Sequence, residues 1–586
     1  MSNPWAKAPV DCYVVPALSS EQRLPHKLPT DGEPGDQIKI VMAKGEFEPA
    51  SFVIAPKANI AKLELKAGAL QGPNGAVIPA ENVDIKVVKV WYQAGTSWYS
   101  YFGDANRREL VPELLLNDET LVKVDIENKE NYLRVGDEYV WVSFPWDKAE
   151  REFDFYREPV RDAKTLQPIK LVSGENKQIW ITVKAPEQSE AGVYQGSIRM
   201  IADGKDIGEM KILVRVLPFT LPMPKTYYDV NKDFLVTLYG TGLYEHARRR
   251  KVDKEQVLKL QRAIYQNLYN HNAFNPLVQG SLSASPSSDA VFRSDVETEF
   301  RLMKEIGFPM KPILSEGWAY FGSGEKLDDL SGFSKRVKAM IDFLQEQAGH
   351  KDIYLSTWDE AGMSRIREMR KLSEIVHSMG AKIWVTTHWG RHFDYAGYAF
   401  DYANHGGWPS REHAAVWHAI GSKIASYAGP HTGPENPDTF RRWEGIGRYK
   451  ANYDGSFNYE YFSRSHTDPN YDLKVTKTNT WNDFRGGEFR CFNLVYPTVD
   501  GVIDTIAWEG FREGIDDIRY ATKLKQLAAE AVEKNHMPAM HTAKKALIWL
   551  ELLEEKSADL NEVRMEMISY IMQILEEMSP AYQAQK

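Results

Sequence analysis

Asp359 and Glu360 stand side by side directly after an apolar, strand-like run at residues 353–357, and helical spacing follows at about 365–378. Adjacent carboxylates suit acid–base chemistry, because their repulsion drives the two protonation equilibria apart and keeps one acid protonated near neutrality. The plainer alternative is that one of them caps the following helix and favours its positive end. Successive strand residues point to opposite faces, so both carboxylates reach one pocket only if the chain has already left strand geometry. Similar polar and aromatic residues end the neighbouring strand-like runs: Asn231, Glu316 and Trp318, His388 and Trp389, Asn404, Tyr459 and Tyr461, with Trp481 in the loop beyond. Indole and phenol rings stack on the C–H faces of a pyranose, while amides, imidazoles and carboxylates bind its hydroxyls. Trp318, Trp389, Tyr459 and Trp481 are therefore candidate walls for a sugar. Asn231, Glu316, His388 and Asn404 are candidate hydroxyl contacts, with Tyr461 among the substrate-binding residues. Any one of these aromatics could equally be core. His388 and His392 are four apart, but no third ligand stands beside them, so neither a metal nor another cofactor is expected.

These residues need a scaffold that gathers strand ends. Eight strand-like runs occur at 228–235, 274–278, 311–314, 353–357, 383–387, 400–404, 423–427 and 456–461, most of them separated by helix-compatible segments. Val257, Leu260, Ile264 and Leu268, for example, recur at helical spacing. That alternation predicts a parallel (β/α)₈ TIM barrel, whose chemistry gathers at the C-terminal strand ends. The first third is different. Short runs at 38–42, 51–54, 83–92, 121–124, 139–143, 179–183, 197–200 and 210–216, bounded by turn residues, predict an antiparallel β-sandwich. Leu217-Pro-Phe-Thr-Leu-Pro-Met-Pro224 separates the two, since prolines join neither ladders nor helix interiors. The expected multidomain order is a sandwich over 1–222, a catalytic barrel over 223–507, and barrel-closing and C-terminal helices over 508–586.

With 586 residues, two or three domains are expected. Acidic residues outnumber basic ones, 81 to 72, which argues against a nucleic-acid partner. Two cysteines, Cys12 and Cys491, cannot build a disulfide framework. No run of 18 apolar residues occurs, so no membrane partner is expected. The start, MSNPWAKAPVDCYVV, lacks the pattern of a signal peptide. The expectation is a cytoplasmic protein, or a periplasmic or secreted one if a signal segment has been removed. The sequence sets no oligomeric state.

Four stretches resemble glycoside hydrolase family 123, the β-N-acetylgalactosaminidases. They are Gly45-Glu-Phe-Glu-Pro-Ala-Ser-Phe52, Trp180-Ile-Thr-Val with Gly192-Val-Tyr-Gln-Gly196, the Asp359-Glu360 pair, and Trp508-Glu-Gly-Phe-Arg-Glu-Gly-Ile-Asp-Asp517. The family often carries a proline after the acidic pair, where this chain has Ala361-Gly362, and often a tryptophan on strand eight, where Tyr459 and Tyr461 stand here. The resemblance implies a sandwich-plus-barrel hydrolase of an oligosaccharide or glycoconjugate, with retention through substrate-assisted catalysis. In that route the 2-acetamido carbonyl is the nucleophile, Glu360 is the acid and base, and Asp359 orients the acetamido group. Strand seven, Lys423-Ile-Ala-Ser-Tyr-Ala-Gly429, favours the same route, because it lacks the carboxylate that a two-carboxylate retaining mechanism expects there. Two alternatives stay open. One is a glycosidase of another specificity pairing Glu360 with Glu316, Asp229 or Asp483, and the other is a non-catalytic carbohydrate-binding protein. Glu509, Arg512, Glu513 and Asp517 read as structural ion pairs.

Overall fold

A computed structural model describes residues 4–94, 107–142, 156–244, 247, 251–279, 290–316, 330–388, 394, 397–430, 435–462, 481, 484–485, 489–490 and 493–579. The chain gathers into two compact units. The first comprises Met1–Pro222, Thr432–Arg441 and Phe462–Glu513, and the second Met223–His431, Arg442–Tyr461 and Gly514–Lys586. The sequence reading assigned all of 223–507 to one domain. The structure instead returns two stretches of it to the N-terminal unit.

The N-terminal unit is rich in sheet. One six-stranded sheet runs in the order Glu33–Pro34, Val10–Val15, Phe47–Pro56, Lys177–Lys184, Val83–Ala94, Arg108–Leu116, antiparallel throughout. Phe47–Pro56 lies inside it and reads as an almost unbroken buried run. Arg108–Leu116 carries Pro112 and lies at the edge, where a missing N–H costs no ladder bond. A second sheet contains Ile169–Leu171, Ile60–Ala67, Gly192–Ala202, Lys205–Thr220 and Gln37–Lys44. Its last pair is parallel, with Ile212 opposite Ile38 and Val214 opposite Ile40. The expectation of a purely antiparallel architecture is corrected there: Gln37–Lys44 and Lys205–Thr220 are far apart in sequence, so no hairpin constrains their direction.

Among the described residues, the second unit holds eight parallel strands: β1 (Leu235–Leu238), β2 (Val278–Gln279), β3 (Ile313–Glu316), β4 (Ile353–Ser356), β5 (Lys382–His388), β6 (Tyr402–Gly406), β7 (Lys423–Ser426) and β8 (Gly455–Asn458). Strands β2 to β7 form one sheet in sequence order, and β1 pairs with β8 in a second. Single backbone bonds bridge the two ladders: Asp454 donates to Ile424 at 2.8 Å and Tyr459 to Tyr427 at 3.1 Å beside β7, and Asn275 to Val236 at 2.9 Å beside β1. Four helices follow successive strands: α1 (Lys254–Asn270), α2 (Ala290–Ile306), α3 (Leu330–Ala348) and α4 (Met363–Ser378). Helix α1 starts at Asp253, whose carboxylate accepts the N–H groups of Glu255 and Gln256, and it buries Val257, Leu260, Ile264 and Leu268. The chain ends in helices α5 (Ile506–Glu533), α6 (Met537–Leu552) and α7 (Leu560–Glu577). Among the described residues, no helix is long and apolar enough to cross a membrane.

Candidate active site

Strand β4 ends at Ser356, and Asp359 and Glu360 lie in the turn beyond it. Glu360 has φ +44°, in the left-handed region that a residue with a Cβ seldom enters. The chain has thus left strand geometry before the acidic pair, which removes the objection that neighbours must face opposite ways. Neither carboxylate stands at the cap position of α4, which Gly362 occupies. The Glu360 N–H donates to the Thr386 carbonyl of β5 at 3.2 Å, which fixes the turn against the next strand.

The Glu360 carboxylate accepts a hydrogen bond from the hydroxyl of Tyr427, one residue past β7. Burial, the bond to Glu360 and the charges of Glu360 and Asp359 all push the Tyr427 phenol far above its ordinary value, so it stays a donor. Tyr239, just past β1, lies behind it. Its hydroxyl shares a 2.9 Å bond with Thr386 Oγ1 and accepts from Asn404 Nδ2 at 3.1 Å. Burial raises the Tyr239 phenol too, followed by the charge of Asp359 and, more weakly, that of Glu316. Both acidic residues of the turn therefore act on Tyr427, while Asp359 and Glu316, at the end of β3, act on Tyr239.

An aromatic floor supports these groups. Tyr239 stacks on Phe457 at 5.0 Å, meets Trp384 edge-on at 5.9 Å and lies 5.4 Å from Tyr459. Trp384, Tyr402 and Phe457 are buried with Tyr239 and Tyr427 in one cluster, against which the partly buried Tyr459 packs. Below the ends of β7 and β8 lies a fully buried ion pair, Glu444–Arg448. Glu444 accepts from Asn458 Nδ2 at 2.6 Å and from the Ser456 hydroxyl, while Arg448 donates to the Ser426 carbonyl at 3.3 Å. Burial raises the Glu444 carboxyl against the pull of Arg448. The pair ties down the backbone that presents Tyr427 and Tyr459.

Some expected contacts fall elsewhere. Asn231 lies in an exposed turn ahead of β1, where its N–H donates to Asp229 Oδ1 at 2.9 Å. The first strand starts at Leu235 rather than 228, so Asn231 and Asp229 precede the strand instead of ending it. Trp481 belongs to the N-terminal unit and is fully buried against Trp91 and Tyr496, its indole N–H donating to the Pro497 carbonyl at 2.9 Å. It is a core residue there. Tyr461 is likewise fully buried, its hydroxyl bonded to Asn267 of α1 at 2.9 Å. Asn404 is fully buried and holds Tyr239 and the Phe457 carbonyl, so it positions the floor. Trp318, Trp389, His392 and Asp483 lie outside the described residues, as does the side chain of His388. The sequence reading gives Tyr427, Tyr239 and Thr386 no site role. The available signal was a tyrosine at the end of each of strands one and seven.

The Trp508–Asp517 stretch opens α5. In the N-terminal unit, Arg512 bonds Glu509 at 2.8 and 3.1 Å and Glu513 at 3.0 Å, and Glu509 accepts the Trp180 indole N–H at 3.1 Å. In the second unit, Asp517 accepts from Arg564 of α7 at 2.7 Å.

No family model matches the chain, and no curated protein does. Among solved structures it is similar to a family 123 glycoside hydrolase from Clostridium perfringens, a structure concerned with glycolipid glycan hydrolysis. The two align with a TM-score of 0.61 at 14% identity, over 96% of this chain and 97% of that one. The chain thus shares a multidomain fold, sheet-rich at its start and helical at its end, with that hydrolase. A thiamine phosphate pyrophosphorylase from Pyrococcus furiosus aligns over 49% of this chain and 97% of its own, at 10% identity and a TM-score of 0.22, too low to carry an argument.

Proposed function

We propose that the protein is a retaining glycoside hydrolase, a β-N-acetylgalactosaminidase or β-N-acetylhexosaminidase working by substrate-assisted catalysis. In this reading the two larger N-terminal sheets form a sandwich and the eight parallel strands close into a barrel. The observation that carries it is the Asp359-Glu360 turn past β4, with one Glu360 oxygen taken by the Tyr427 hydroxyl. With Oε1 accepting from Tyr427, the acid proton of Glu360 sits on Oε2. The acetamido carbonyl oxygen of the substrate bonds to the anomeric carbon as the bond to the leaving oxygen breaks. Glu360 Oε2 gives that oxygen its proton. Asp359 accepts the acetamido N–H and offsets the positive charge that develops there. Glu360 then takes a proton from water, whose oxygen opens the oxazolinium ring and restores the original configuration. Tyr459 and the described part of the aromatic floor support the sugar, with Glu316 at the rim.

Glu360→Gln should slow hydrolysis of an unactivated glycoside by a factor of about 100 to 10,000, with a much smaller loss in the glycosylation step for a dinitrophenyl leaving group. Near-normal turnover of the unactivated substrate would sink the assignment. A second reading is favoured by one observation, that Glu316 ends β3, the strand paired with β4. There Glu316 is the nucleophile of a two-carboxylate mechanism, and a fluorosugar adduct trapped on Glu316 would establish it in place of the first.

A further inference from the structure

One aromatic pair at the same end of the sheet has no part in the scheme above. Strand β6 ends at Gly406, and Gly407, with φ +126°, turns the chain so that Trp408 leaves the sheet. Trp408 is 41% exposed, and among the described tryptophans it alone is an exposed large apolar side chain. Its ring packs edge-on against Trp443 at 4.8 Å and 63°. The platform is anchored firmly. Ser426 Oγ donates to the Gly407 carbonyl at 2.9 Å, and the Tyr427 N–H donates to the His405 carbonyl at 3.3 Å. Gly429 lies so close that a Cβ there would come within 3.2 Å of the Trp408 Cα. The chain bearing Trp408 is thereby bonded to the residue whose hydroxyl holds Glu360.

An exposed indole packed against a second indole, just past β6, the strand paired with the one that leads to Tyr427, offers apolar surface that water solvates poorly. We propose that Trp408, braced by Trp443, is a stacking platform for a second pyranose ring, adjacent to the ring that is cleaved. The inference rests on the glycosidase reading and deepens it: the substrate class is an oligosaccharide or glycoconjugate with at least two sugars, recognised through the C–H face of the second. Trp408 contacts substrate without taking part in proton transfer.

The test compares kcat/KM for a β-linked N-acetylgalactosaminyl-galactose disaccharide with that for nitrophenyl N-acetyl-β-galactosaminide. The ratio of the two isolates the second sugar. In Trp408→Ala the ratio should fall about tenfold, equivalent to about 1.4 kcal/mol, and Trp408→Phe should restore most of it. Tyr398→Ala removes another exposed aromatic and should keep the wild-type ratio. A wild-type ratio in Trp408→Ala overturns the platform while leaving the hydrolase reading intact. If the wild-type protein cleaves neither substrate, the hydrolase reading fails, and fluorescence titration with the disaccharide decides the platform separately. Quenching that disappears in Trp408→Ala supports it, and no quenching in the wild type overturns it.

Discussion

Replacing Tyr427 by Phe removes a single oxygen and leaves the ring among Tyr239, Tyr402 and Phe457, where the side chain is 3% exposed. The oxygen lost is the donor to the Glu360 carboxylate. A hydrogen bond to a charged group contributes about 1.5–3 kcal/mol, and about 1.4 kcal/mol corresponds to tenfold in rate. Tyr427→Phe should therefore lower kcat/KM for an unactivated disaccharide about 10- to 100-fold. The deficit should be smaller on dinitrophenyl glycosides, whose leaving group needs no proton from Glu360. The assay is initial-rate kinetics on both substrates at fixed pH, with circular dichroism to verify that the variant melts as one folded species. Activity within about twofold of wild type on both substrates would refute the reasoning, because Tyr427 would then hold nothing that the reaction uses. A deficit equal on both substrates would also refute it, by placing the tyrosine in binding rather than in support of the acid.

Three further outcomes follow from features away from the reacting atoms. The Asp401 carboxylate, bonded to His377 Nε2 at 2.8 Å, holds that imidazole above its ordinary value of 6.5 against the effect of burial. Its stabilisation is complete below that ordinary value and fades as pH rises through the raised one. The melting difference between wild type and His377→Gln should therefore be largest near about pH 6 and shrink toward about pH 9, and a constant difference would contradict this. Trp481→Ala should destabilise the N-terminal unit by about 3–5 kcal/mol, read by chemical denaturation; a folded, fully stable variant whose KM alone rises would restore Trp481 to the sugar site. Gly510→Ala should cost about 1–3 kcal/mol, because its Cβ would lie 2.2 Å from the Pro437 carbonyl oxygen; an unchanged melting temperature would contradict that close approach.

The position of the acidic pair, past a strand and ahead of a helix, was legible in the sequence because its signals are local. An apolar run, two carboxylates and an amphipathic segment follow one another within about 25 residues, and β4 and α4 formed where those signals lie. Tyr427 was not legible, since its role depends on Glu360, 67 residues away. Asn231 was misplaced because 228–235 alternates like a strand, yet its polar residues turn the chain: Asp229 accepts the Asn231 N–H, and Lys225 bridges to Asp233. Asn404 lies midway along β6 and Tyr461 beyond the end of β8, not at the strand ends expected, and their partners, Tyr239 and Asn267, draw them into the core. Trp481 was misassigned because linear order suggested that the chain stayed in one domain. Its contact with Trp91 arises from long-range return, which periodicity does not register. The ion pairs of Glu509, Arg512 and Asp517 were anticipated, while the engagement of Glu509 by Trp180 was not.

The division of the chain between its two units also sets a timetable for biosynthesis. The first 222 residues emerge from the ribosome carrying groups whose partners have not yet been made. The Glu113 carboxylate, which receives Trp91 and Gln93, waits for the Tyr496 hydroxyl, and the Trp180 indole waits for Glu509. Thr505 later bridges to Leu114 at the sheet edge. An edge strand left open during synthesis is a site for wrong pairing. Completion of the older unit must await translation of most of the younger one. A protease cut at Pro222 would sever the covalent chain there without separating the two bodies into independent fragments, because the first still draws Thr432–Arg441 and Phe462–Glu513 from beyond the cut.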